Sequence, residues 1–467
     1  MEQKARWSDV LAGEYGWLTI LLNLGIVIHA IDVLILTTIL PSMVRDIGGA
    51  HYYTWSTMLY MVSSIVGATS VGFFRHFLGL RRCYVIGTLA FLTGSVGCAV
   101  APIMAVLLVM RFVQGFGGGV IIALSIGLIG EYFPEYLKKR VLASISASWG
   151  LAALLGPAIG GFFADTLSWR GAFWINVPIL GVMLLLAFRL LPQENRSQNI
   201  VEVPWVRLGF LSFGVLLLGS ADQDNPVLLR AFLVGSAIFC LVAMMRLDDR
   251  ATRRLFPAGA FSLATMRGAA YGVMFLSSII HTVIGIFLPL AMQKVYGQSA
   301  LISGYVAATL ALFWTLASVG TSGIHGTLAR RLIPIGLSLC VLGSLCLTIG
   351  AIHIPWEFLP FLSGLVGFGL GCSNLHLTEE VMRATPQAEI GLTASSMPTI
   401  RNLGIAFGSA LAGIVANASG LTDQLTPLDV ARATHWVLGL GMAAAILAVL
   451  LSVRFMALLS RPAPQGN

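Results

Sequence analysis

The sequence predicts an all-α polytopic membrane protein, on three observations. Apolar residues fill 57% of the 467 positions and charged residues only 10%, against roughly 25% charged in soluble domains. A mean hydropathy of +0.87 means that most of the surface faces something other than water, which excludes an ordinary soluble enzyme. The apolar stretches also run unbroken for about 20 residues, where a membrane barrel would show alternation over about ten; helices are then the way to satisfy the backbone in lipid.

Taken in order, the stretches are 17–41, 54–74, 84–101, 103–132, 141–164 and 171–191. The first reads as a retained span, since it is longer than the apolar part of a cleavable leader and has no small-residue exit site. After a polar break at 193–199 come two weaker runs, 204–220 and 227–245, then 268–292, 303–322, 332–352, 358–377, 391–416 and 436–455. That makes fourteen spans in a six, two, six arrangement, with expected domains 1–195, 196–262 and 263–467. A twelve-span chain lacking both weak runs keeps the same parity. Leaving out Arg111 and Arg401 deep inside spans, 26 Lys and Arg stand in the tails, loops and span ends, and 21 of them fall on the side of the N-terminus, so both termini are expected in the cytoplasm. That distribution accounts for the net charge of +8 with the bilayer as partner and without nucleic acid. Six cysteines inside or beside apolar runs, with no zinc spacing, read as buried free thiols.

A faint repeat is visible. Gly72 to Arg82 follows the second span and Gly326 to Arg331 the second span of the last six, each placing glycine four residues before a basic side chain, His76 or Arg330. Two six-helix halves with matching loops suit a transporter built from repeats.

Several motifs then stand in order. Asp32-Val-Leu-Ile-Leu-Thr-Thr-Ile-Leu-Pro41 lies in the first span, Arg111-Phe-Val-Gln114-Gly115-Phe-Gly117 in the fourth and Gly156-Pro157-Ala-Ile-Gly160-Gly161 in the fifth, followed by Trp169-Arg170 and Phe173-Trp174-Ile175-Asn176-Val-Pro178. Over nearly its whole length the chain resembles the major facilitator superfamily and, within it, the fourteen-helix drug:proton antiporter-2 family. There the first motif reads D-x-T-I-V-N-V-A-L-P, so Leu34 and Thr37 stand where Thr and Asn are usual. Ala152 replaces a glycine at the start of the fifth-span motif. The resemblance implies a major facilitator fold of two six-helix bundles with two extra central helices, a role for Arg111 in proton transfer, and an antiport and sealing role for Gly156, Pro157, Gly160 and Gly161.

The residues make their own case. Asp32 is the one carboxylate well inside a span, where a charge costs several kcal/mol and needs a partner, a watery cavity or a proton. It can carry the coupling proton, or it caps a helix break or pairs with backbone. His29, three residues earlier on the same face, could couple to that titration, donate to the carboxylate, or simply pack. Arg111 shares a polar and small-residue stripe with Gln114, which suits a cavity wall, unless it snorkels to the outer interface. Gly156 and Gly160 form a close-packing face that Pro157 can bend. The superfamily's loop signature, G-x-L-A-D-R-x-G-R-K, retains Gly72, Gly79 and Arg81 here but has His76 at the aspartate, and a histidine cannot supply a fixed negative charge; the substitution is either tolerated or makes the gate sensitive to cytoplasmic pH.

Trp149, Tyr271, Trp314, Asn374 and His376 are polar-tipped or aromatic residues within spans and are expected, with Gln114 and Arg401, to line a substrate cavity. For Arg401, followed at spacings of four by glycine and alanine, close helix packing is the competing reading. Trp17, Trp55, Trp169, Trp356 and Trp436 read as an interfacial belt, and Glu131 as an ion-pair partner of Lys138, Lys139 and Arg140. No phosphate-binding loop, metal motif or Ser/His/Asp arrangement speaks for an ATP-driven pump or an enzyme. The expectation is a monomeric exporter in the plasma membrane. It exchanges protons, with no cofactor, for small lipophilic drugs or toxic compounds, cationic ones included. A siderophore or metabolite exporter is the alternative, with a membrane-embedded enzyme or receptor behind it. Asp32→Asn is expected to abolish coupling while stability holds or rises, because a buried charge disappears.

Overall fold

A computed structural model describes residues 7–193, 203–221, 226–252 and 254–459, and all regular structure among them is helical. A short helix, Trp7–Leu11, precedes fourteen longer ones: α1 Gly13–Ile47, α2 Trp55–Leu78, α3 Leu80–Ala99, α4 Met104–Tyr132, α5 Glu135–Thr166, α6 Gly171–Leu190, α7 Trp205–Gly219, α8 Val227–Asp249, α9 Met266–Lys294, α10 Ala300–Thr321, α11 Gly326–Gly350, α12 Leu359–Arg383, α13 Ile390–Ala418 and α14 Pro427–Leu459. Each predicted span has its helix. Thirteen are long and apolar enough to cross a bilayer. The exception is α7, whose 15 residues reach about 22 Å at 1.5 Å per residue, short of a ~30 Å hydrocarbon core. Part of the polar break, 194–199, lies outside the described residues.

The connections are tighter than the apolar runs suggested. Gly79, at φ +77°, is the whole link between α2 and α3, so His76 sits in the last turn of a helix and not in a loop. Gly326, at φ +72°, opens α11. The repeat partner of Gly326 is therefore Gly79, while Gly72 lies inside α2, and the four-residue match to His76 does not hold. Six free cysteines are present, five of them buried.

The chain forms two compact units, one of residues up to Trp205 with Ser299–Tyr305, the other of Val206–Gln298 with Val306 onward. In the first, α4 packs on α2 and α3, and α1 on α4, α5 and α6. In the second, α9 packs on α13 and α14, and α11 on α12 and α14. Lipid gives no hydrophobic drive between helices, so close approach of backbones at small residues must supply the packing. A methyl group on Gly115, Gly117 or Gly119 of α4 would fall 2.3 Å from the Tyr60 carbonyl oxygen, 2.5 Å from that of Gly87 and 2.0 Å from that of Ser64. On Gly367, Gly369 or Gly371 of α12 it would fall 2.1 Å from the oxygen of Leu310, 2.2 Å from that of Gly336 and 2.3 Å from that of Trp314. The same i, i+2, i+4 glycine triplet thus seats α4 between α2 and α3 and α12 between α10 and α11.

In the second unit α7 meets α8 at Gly214, beside Cys240. At the end of α8 the buried Asp248 accepts hydrogen bonds from Arg207 and from the backbone N–H groups of Leu255 (2.8 Å) and Phe256 (3.1 Å). It ties the helix pair to the segment leading into α9, whose first turn is capped by the Thr265 hydroxyl accepting from Gly268 N–H at 3.0 Å. Removing one member of a buried pair costs about 3–5 kcal/mol. Asp248→Ala should therefore speed hydrogen exchange of the Leu255 and Phe256 amides by at least a hundredfold, a local opening readable by mass spectrometry. Unchanged protection would mean that the segment is held by something else.

Candidate functional site

Asp32 lies near the middle of α1, 2% exposed, and its carboxylate meets donors from two other helices. Arg111 of α4 donates at 2.5 Å, Gln114 of α4 at 2.7 Å and Asn176 of α6 at 3.2 Å. Arg111 also donates to the Gln114 carbonyl at 2.7 Å, and the Gln114 and Asn176 amides both donate to the Ser95 hydroxyl of α3, at 2.8 and 3.0 Å. Three donors and no acceptor around the carboxylate fit its ionised form. The network is charge-balanced, and buried polar groups of this kind are stable only when so matched.

Local sequence explains the convergence. Gly94 lets α3 approach so closely that a methyl there would sit 2.5 Å from the Gln114 backbone nitrogen, which brings Ser95 into reach. Asn176 is the first residue of the longer segment of α6, Asn176–Leu190, after a break at Ile175. Gly156 and Gly160 press α5 onto α1 beside the carboxylate, a methyl on Gly156 falling 2.7 Å from Leu34 Cβ and one on Gly160 3.2 Å from the Ile35 oxygen. Helix α5 continues through Pro157, and a methyl on Gly161 would lie 2.4 Å from Leu301 Cα, within the same unit.

Arg111 is fully buried, so it does not snorkel. Its guanidinium lies 4.3 Å from the Tyr60 ring centroid, a cation–π contact. The Tyr60 hydroxyl and His29 Nδ1 share a 2.7 Å hydrogen bond. His29 thus reaches the ion pair through Tyr60 and does not donate to Asp32. Its other neighbour is Trp149, edge-on at 6.4 Å and 45% exposed.

Of the expected cavity residues, Gln114 is fully buried inside the Asp32 network. In the second unit the others are separately engaged. The Tyr271 hydroxyl pairs with Ser396 at 2.7 Å, Asn374 donates to the Leu370 carbonyl at 3.1 Å, and Trp314 stands edge-on to His281 at 6.0 Å. His376 is fully buried and neither ring nitrogen makes a hydrogen bond. Arg401 donates to the Thr378 hydroxyl at 3.4 Å. Gly404 and Gly408 press α13 onto α9 at Phe275 and Ile279, so close packing belongs to that stripe while the Arg401 head stands beside it.

Other expectations change partner. Glu131 pairs in two-pronged fashion with Arg75, both distances 2.7 Å, while Lys138 pairs with Glu135. Trp169 is buried, donating to Asp46 at 3.0 Å beneath Arg170, which also binds Asp46, so it braces one end of the unit and does not belong to the belt. Arg81 donates to the Leu191 carbonyl at 2.5 Å, closing the end of α6. The His76 ring stands edge-on to Phe77 at 4.7 Å, and its Nδ1 has no hydrogen-bond partner. Sequence reasoning missed Tyr60 and Ser95, whose types are common in membrane helices. It quoted Asn176 only as part of a motif.

Thirteen helices among the described residues that are long and apolar enough to cross a bilayer, with a balanced acid–base pair midway along one of them, define a multi-pass membrane protein. The chain belongs to the Major Facilitator Superfamily, whose family model matches residues 22–409. A probable multidrug-efflux transporter of Mycobacterium tuberculosis is 28% identical, over 88% of this chain and 90% of that protein. Multidrug resistance protein 3 of Bacillus subtilis is 27% identical over 84% and 78%. Among solved structures, a D-xylose-proton symporter matches with a TM-score of 0.65 at 15% identity, covering 95% of this chain and 98% of that one. A peptide transporter in complex with sulfate also gives 0.65 at 15%, covering 96% and 97%. These structures share the fold.

Proposed function

We propose that the protein is a proton-coupled exporter of lipophilic drugs or toxic compounds in a bacterial inner membrane, with both termini in the cytoplasm. It acts as a monomer that needs no cofactor, and its two six-helix halves alternate access to a midplane site. The observation that carries this reading is the Asp32 carboxylate held mid-span by Arg111. A proton arriving from outside on Asp32 removes the negative half of the pair and leaves Arg111 to find new partners, so the protonated and ionised states prefer different packings. Release of that proton to the cytoplasm resets the pair. Each charge moved across the membrane adds about 2.3 kcal/mol per 100 mV. The names of the relatives support efflux of drugs as the use of this cycle. Tyr60 and His29 extend the network toward the exposed Trp149 and would feel any movement of Arg111.

The test is transport by the purified chain in proteoliposomes, with a panel of lipophilic dyes, drugs and siderophores. A substrate should move against its own gradient only while an opposing proton gradient is imposed, and stop when a protonophore collapses it. Transport indifferent to the gradient would defeat the coupling. Movement of siderophores alone would make the protein a metabolite exporter.

A further inference from the structure

The two units differ in how they treat mid-span charge. In the first, Asp32 and Arg111 cancel. In the second, Arg401 is the twelfth of the 29 residues of α13, within about 5 Å of the helix midpoint at 1.5 Å per residue. Among the described residues no carboxylate pairs with it. Its one hydrogen bond is the long contact to Thr378, and its buried Nε has no partner. The acids following Thr378 on α12 are already held, Glu379 by Arg383 and Glu380 by Arg330, each at 3.2 Å. A guanidinium offers five donors in a planar fork suited to a carboxylate. Left uncompensated in a membrane span, it calls for an anion or for water.

The surroundings of Arg401 favour an accessible site over lipid. Ala394, Ser395 and Pro398 are exposed and Arg401 and Asn402 half-buried, at the three- and four-residue spacings of one helix face. The Ser395 hydroxyl donates to the Leu392 carbonyl at 3.1 Å, but an arginine and an asparagine side by side on an accessible face of a membrane helix call for water, because lipid would leave their polar groups unsatisfied.

We propose that Arg401, with Thr378 beside it, recognises a carboxylate or like anionic group on the transported compound, so that the chain prefers acidic or zwitterionic lipophiles to lipophilic cations. This rests on the exporter reading and names its substrate class. A cation would need a free carboxylate, and the mid-span acid of the first unit, Asp32, is already occupied by Arg111.

Three probes with one aromatic body separate the possibilities: pyrenebutyrate, its methyl ester and pyrenebutyl-trimethylammonium, titrated by fluorescence against the full chain in phosphatidylcholine nanodiscs. Charge-assisted pairing predicts pyrenebutyrate binding about tenfold or more tighter than the ester, with the ammonium weakest. Arg401→Gln should bring pyrenebutyrate to the level of the ester and leave the ester unchanged, while Arg401→Lys should keep part of the preference. Equal binding of acid and ester by the unaltered protein overturns the proposal, as does a preference that survives in Arg401→Gln. Should that variant not fold, the order of the three probes on the unaltered protein and on Arg401→Lys still decides. Loss of the preference when phosphatidylglycerol is added would assign the anion to a lipid headgroup and likewise overturn the substrate class. Ester transport driven by a proton gradient, read in parallel, separates the two claims. No transport with the preference intact defeats the exporter reading, and transport without charge preference defeats the anion site.

Discussion

Replacing Asp32 with Asn should abolish proton-driven export and destabilise the protein by about 3–5 kcal/mol, the cost of stranding a buried charge. The sequence alone pointed the other way on stability, because it showed a lone buried carboxylate whose loss relieves a penalty. Asp32 is not alone. Arg111 donates to it at 2.5 Å, and the neutral amide that replaces it can accept a hydrogen bond but cannot balance the guanidinium. Thermal unfolding in detergent should therefore show a lowered midpoint. Counterflow of substrate, which needs no net driving force, should persist in whatever fraction folds.

The double variant Asp32→Asn/Arg111→Gln makes the expectation sharper. Removing both charges takes away the stranded one, and most of the cost of breaking a buried pair is the uncompensated charge left behind. Unfolding should return toward that of the unaltered protein while coupling stays lost. If Asp32→Asn alone unfolds at the original temperature, the pair does not contribute to stability as its geometry implies. If it exports fully against a gradient, the coupling proton is carried elsewhere, and Glu131, paired with Arg75 nearer the end of its helix, becomes the next group to examine.

Much of the fold was legible because hydropathy reports on the bilayer one span at a time. Each expected stretch became a helix, and Asp32, Arg111 and Gln114 stood out because charged and amide side chains are rare at such positions. What joined them was not legible. Tyr60, Ser95 and Asn176 come from α2, α3 and α6, and nothing in their local sequence says which face of a helix meets which neighbour. Trp169 looked interfacial from its place at a span end, yet the Asp46 and Arg170 beside it draw it inward. Glu131 was assigned to the basic cluster nearest in sequence, whereas Arg75, 56 residues away, is the partner that helix packing brings to it. Sequence distance is a poor guide to ion pairing wherever neighbouring helices are antiparallel. The glycines of α4 and α12 were visible as small residues, but their common register shows only against the carbonyls they face.

That register gives the other large effect. Gly119→Ala should lower the unfolding temperature sharply, because the new methyl would lie 2.0 Å from the Ser64 carbonyl oxygen and 2.7 Å from its carbon, with no flexible side chain to yield. Overpacking of a tight contact costs about 1–3 kcal/mol and sometimes more, and here α4 and α2 must move apart along a shared face. Gly371→Ala should behave alike, meeting the Trp314 oxygen at 2.3 Å and the Ala317 methyl at 2.8 Å. Gly127→Ala is the control on α4 itself: nothing lies within 4 Å of the added carbon, and Ala gains up to about 1 kcal/mol over Gly in helix propensity. The expected signs are therefore opposite, destabilised for the two packed glycines and unchanged or stabilised for the exposed one. Equal unfolding temperatures for Gly119→Ala and Gly127→Ala would show that α2 and α4 tolerate separation, and the glycine triplet would then lose its role as the seat of both α4 and α12.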